Sequence, residues 1–151
     1  MVAGMPVRLE PGVLLTVAGE MATEPGTRES YALAILTAHA GLEAFVNETG
    51  GREIASFNPR ARFLPKWHDL CERVLGRQLD AGPDLEGLHA LRDAIVGYEG
   101  DPERLDRRAE TPPPIIPEHL DAEAARWAVD TARGVITEFH SLAGRTAPDW
   151  V

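Results

Sequence analysis

The segment Leu88-His89-Ala90-Leu91-Arg92-Asp93-Ala94-Ile95-Val96-Gly97-Tyr98 sets an arginine and an aspartate side by side on an otherwise apolar helical pattern. From spacing alone the plain reading is a surface arginine and aspartate on a core helix. His39 and Glu43 form a second constellation. They are four residues apart, on one helical face, and with His68 as a third ligand they could hold a metal or orient an imidazole by a carboxylate. Helical-bundle metal sites draw on more carboxylates than this set offers. The preferred account is therefore a polar stripe, His39, Glu43 and Asn47, whose side chains satisfy each other or a neighbouring helix. Arg133 and His140 make a third pair, two helical turns apart on a shared face, at a spacing that chance produces often.

The remaining chemistry is sparse. Cys71 is the one cysteine, which excludes an internal disulfide framework and a multi-cysteine zinc site and leaves it the role of a small buried hydrophobe. Neither Gly50-Gly51 nor Gly97-Tyr98-Glu99-Gly100 has the strand-to-helix setting and lysine of a phosphate-cradling loop. Arg60, Arg62, Lys66, Arg73 and Arg77 make one locally basic stretch, read first as a solvated helix face and second as a patch for RNA or an acidic partner. No catalytic residue is assigned; the candidates are Arg92, Asp93 and His140, and no cofactor is expected.

The elements that must carry these side chains are helical. Residues 1–26, rich in Pro and Gly around Val13-Leu14-Leu15-Thr16-Val17-Ala18, read as an irregular arm with a helical turn or more. Tyr31 to Val46 is apolar nearly all round, the mark of a central helix, and Gly50-Gly51 is expected to end it. Pro65 opens a second helix with Trp67, Leu70, Cys71, Val74 and Leu75 on one face, closed by Gly76. Asp84 is the expected N-cap of a third, whose Leu85, Leu88, Leu91, Ile95 and Tyr98 fall together. A loop from Glu99 to Pro117, with Arg104, Arg107, Arg108 and a triproline, leads to a fourth long helix from Asp121 to Leu142 that Gly144 stops. Trp150 in the tail is expected to lie against the body. The fold class is all-α, an up-and-down bundle of four to five helices forming one domain over residues 27–151.

The segment around Arg92 resembles the Leu-Arg-Asn-x-x-x-His-Tyr motif of HEPN-like helical-bundle proteins, many of them RNases of defence and toxin–antitoxin systems. Ala34 to Asn47 is similar to the long first helix of that group, and Arg126 to Ala132 to its last. In active members the arginine binds the scissile phosphate, the histidine does acid–base work, and two protomers pair their motifs across a dimer cleft. The resemblance thus implies a homodimer and gives Arg92 the phosphate role. Asp93 stands in place of the asparagine and Gly97 in place of the histidine. Glycine has no titratable group, and losing such a group typically costs about 10²- to 10⁴-fold in rate. The expectation is a non-catalytic module that associates with RNA or a protein partner. The alternatives are an active hydrolase, using Arg92 with His140 or a metal at His39, Glu43 and His68, and a purely structural dimer.

Composition narrows the partners. The chain has 151 residues, 44% of them hydrophobic, enough for a core in one domain of ordinary size. Its formal charge of −9 repels polyanions, so broad nonspecific DNA or RNA binding is not expected. No uncharged apolar run approaches the length a membrane helix needs, and the first thirty residues lack a secretory apolar core, so the expected location is cytoplasmic.

Overall fold

The computed structural model describes residues 9–98 and 120–151, which form five helices: α1 (Pro11–Met21), α2 (Arg28–Glu53), α3 (Phe63–Leu75), α4 (Gly82–Tyr98) and α5 (Ala122–Leu142). Among the described residues there is no strand, and the chain is an all-α bundle. The arginine-rich and triproline loop expected between Glu99 and Pro117 lies outside the described residues. No described helix is long and apolar enough to cross a membrane.

Local chemistry explains the starts and stops. Thr27 and Ser30 form a reciprocal capping box, the Ser30 amide donating to Thr27 Oγ1 at 3.1 Å and the Thr27 amide to Ser30 Oγ at 2.9 Å. Two of the amides that helix geometry orphans at α2 are thereby satisfied. Asp121 caps α5 by accepting from the Ala124 amide at 2.8 Å. Gly76 ends α3 in the left-handed region at φ 68°, where a side chain would be strained. Asp84 lies inside the first turn of α4, which begins at Gly82. The lead into α4 is held instead by Glu138 of α5, whose carboxylate accepts from the Asp80 and Ala81 amides at 2.7 and 3.1 Å.

α2 and α5 each touch every other helix, so together they are the spine of the bundle. α2 buries Tyr31, Ala34, Ile35, Ala38, Leu42, Phe45 and Val46 around its circumference, as an all-round apolar helix must. α5 presents Ala125, Ala128, Val129, Ala132, Val135, Ile136 and Phe139 to it, and Phe45 meets Phe139 edge to face at 5.5 Å. Cys71 is fully buried, and burial, with the Glu138 carboxylate adding to it, pushes its thiol up to about 12, which leaves it inert at neutral pH.

The expected end of α2 is corrected. Gly50 and Gly51 do not end α2, which continues to Glu53. Gly50 is buried under the Phe57 ring, and a Cβ there would run into it, so this glycine serves a close approach and not a stop. The stretch read as an irregular arm is helical over Pro11–Met21, with Leu15 and Ala18 fully buried. Leu15 packs against Gly41 of α2, and Trp150 folds back over Gly12, so the tail does lie on the body.

Candidate functional site

A pocket of about 810 Å³ opens where α2, α3 and α4 meet, and Arg92 lines it. Its walls are His39 and Glu43 from α2, Arg62 to Pro65 at the start of α3, and His89, Arg92 and Asp93 from α4. Helical spacing accounts for the arrangement. His39 and Glu43 share one face of α2, while His89, Arg92 and Asp93, at i, i+3 and i+4, share one face of α4. The alternating leucines of α4, Leu85, Leu88 and Leu91, are buried behind them and fix the rotation of that helix.

The polar groups form a chain. His39 Nε2 and His89 Nδ1 are hydrogen-bonded at 3.0 Å. His89 Nε2 lies 3.5 Å from Asp93 Oδ2, and Arg92 Nη1 donates to Asp93 Oδ1 at 2.8 Å. An ionised carboxylate can only accept, which favours the proton on His89 Nε2. His89 Nδ1 then accepts from His39 Nε2–H. Phe63 packs under both imidazoles, its ring centre 4.6 Å from that of His39 and 5.3 Å from that of His89.

Burial sets the protonation state. Desolvation above all, then the neighbouring His89 ring and the Arg92 charge, lower His39 to about 4, against a weaker upward pull from Glu43 and Asp93. The His39 ring is therefore neutral at neutral pH. Beside it, Lys66 donates to Glu43 Oε1 at 2.6 Å and to the Pro59 carbonyl at 3.1 Å, with its side chain only 2% exposed. Glu43 is thus neutralised from behind, and its side chain is 35% exposed.

The other candidates lie elsewhere. His68 is half exposed with Nε2 3.6 Å from Glu86, and it does not line the pocket. The set His39, Glu43 and His68 is not assembled, because His89 takes His39 and Lys66 takes Glu43. Among the described residues no group of three or more His, Cys, Asp or Glu is placed to hold a metal ion. His140 is buried against Phe45 and Phe139, neither ring nitrogen has a protein partner, and desolvation, followed by Arg145 and Arg52, lowers its pKa. It is not among the pocket-lining residues, so Arg92 and His140 do not form one site. Arg133 lies beside Gly19 of α1.

Sequence reasoning missed His89 and Lys66. His89 stands three residues before Arg92 and four before Asp93, a spacing that already put it on their face. Lys66 read as part of a solvated basic stretch. Of that stretch, Arg73 pairs with Asp69 and Arg77 with Asp80, and Arg62 lines the pocket. Compared with protein-family models, curated proteins and solved structures, the chain matches none.

Proposed function

We propose that this chain is a HEPN-like, non-catalytic binding module whose pocket holds a phosphate of RNA, acting as a homodimer in a defence or toxin–antitoxin setting. The observation that carries the reading is Arg92 on the wall of an open pocket, with its Nη1 held by Asp93 and the guanidinium half exposed. A guanidinium aimed by a carboxylate is pre-organised for an oxyanion, since little side-chain freedom is left to lose.

Gly97 alone does not decide against cutting, because two imidazoles stand beside Arg92. Their arrangement supports binding over cleavage. Displacement at phosphorus runs in line, with the attacking and leaving oxygens on opposite sides. Here the two rings are hydrogen-bonded to each other, so they stand on one side and not across a phosphorus atom. Metal-independent hydrolysis is the second reading, favoured by that same His39–His89–Asp93 chain, which resembles an oriented base.

The test uses single-stranded RNA with a fluorescent label at low salt, followed by anisotropy and by gel. The proposal expects intact RNA bound by the wild type and about tenfold or more weaker binding by Arg92→Ala, the scale of one charged hydrogen bond. Cleavage that disappears in His89→Gln would establish the hydrolase. A dimer mass in solution with no RNA binding would leave a structural dimer.

A further inference from the structure

The pocket has a charge balance opposite to that of the molecule. In a chain of net charge −9, Arg62 and Arg92 line it against Glu43 and Asp93, and Lys66, buried behind Glu43, leaves one positive charge in excess among the described residues. Both carboxylates are already engaged, Glu43 by Lys66 and Asp93 by Arg92 with His89 behind. One excess charge matches one phosphodiester. The hydrogen-bonded imidazoles add a seat for one more proton, since a pair of rings can share a charge that a single buried ring would carry badly.

We propose that the pocket takes a phosphomonoester, the terminal phosphate of a nucleic-acid strand or of a nucleotide, and that the His39–His89 pair takes up one proton as it binds. With that proton the pocket carries two excess positive charges, equal and opposite to the dianion. A concave space of about 810 Å³, walled by three helices, has room for a phosphate together with the nucleoside that carries it.

The charged groups acting on His39 are Glu43 from α2 and Arg92 and Asp93 from α4, with Arg62 at the start of α3 lining the same pocket and Lys66 of α3 behind Glu43. Among the described residues none from α1 or α5 lines the pocket. Burial keeps the His39 ring neutral in the free protein, so that ring is open to a proton when a ligand brings negative charge into the pocket. The inference rests on the reading of this pocket as a phosphate site.

Titration calorimetry of the whole chain tests it, in two buffers of different ionisation enthalpy at about pH 7 and about pH 8. The probes are one short RNA sequence with and without a phosphate on its first nucleotide, and adenosine monophosphate. The expected result is about one proton taken up by the phosphorylated strand, with affinity falling about tenfold from about pH 7 to about pH 8. The unphosphorylated strand should bind at least about tenfold more weakly, with no pH slope. His89→Gln, and His39→Gln as a second variant, should remove the slope, while circular dichroism confirms that they fold. Equal, Arg92-dependent binding of both strands overturns the inference and leaves the RNA reading standing. A slope that survives in both histidine variants puts the proton on the phosphate and also overturns it. Binding of the monophosphate but of neither strand supports the phosphomonoester and removes RNA. Binding of none of the probes ends both.

Discussion

Acidification should destabilise this protein through His39 before its carboxylates protonate. In the unfolded chain that imidazole binds a proton near 6.5, but in the folded chain only near 4. Between those values the unfolded state holds more protons, so stability is complete above about pH 6.5 and is lost as pH falls towards 4. At 1.36 kcal/mol for each tenfold step, the span from 6.5 to about 4 amounts to about 3 kcal/mol at most. That is a large share of the stability of a domain this size, typically 5 to about 15 kcal/mol. The residue is buried, so solvent screening takes little from the figure. His39→Gln keeps a donor towards His89 Nδ1 and removes the titration. Urea unfolding of wild type and variant, in steps from about pH 7 to about pH 4, should show the wild-type curve falling about 3 kcal/mol further. His140 pulls in the same direction but is present in both proteins, so it cancels in the difference. Parallel curves for the two proteins would refute the reasoning.

Two further outcomes follow from packing. Gly51→Ala, facing open space inside α2, should stabilise by about 0.5 to 1 kcal/mol, whereas Gly50→Ala should cost about 1 to 3 kcal/mol through the Phe57 ring; thermal melts of the pair decide it. Glu43→Gln keeps an acceptor for Lys66 but removes the countercharge of its buried ammonium and should cost about 2 kcal/mol, less than for a fully buried pair because Glu43 is itself about a third exposed. Lys66→Met, which removes the charge, should cost less in the same urea titration.

The bundle was legible because its periodicity is local. α5 could be read from Ala125 through Phe139, and the all-round apolar character of α2 announced its central place. What escaped depends on residues far apart in the chain. Gly50 looked like a stop because glycine often is one, and only Phe57, arriving from the following loop, gives it another purpose. Lys66 looked solvated because its carboxylate lies on the preceding helix, at Glu43. His39 and Arg92 were both singled out from the sequence, but their meeting runs through His89, whose bond to His39 joins two helices across the bundle. Periodicity fixes a face and not which faces meet.

The helices divide their labour unevenly. α1 and α5 lie closely along α2, while α3 and α4, which with α2 wall the pocket, touch that spine more sparingly. Amide exchange should therefore release α3 and α4 ahead of the remainder. A chain built this way can vary the walls of its cavity, through drift or selection, while its scaffold stays folded beneath them.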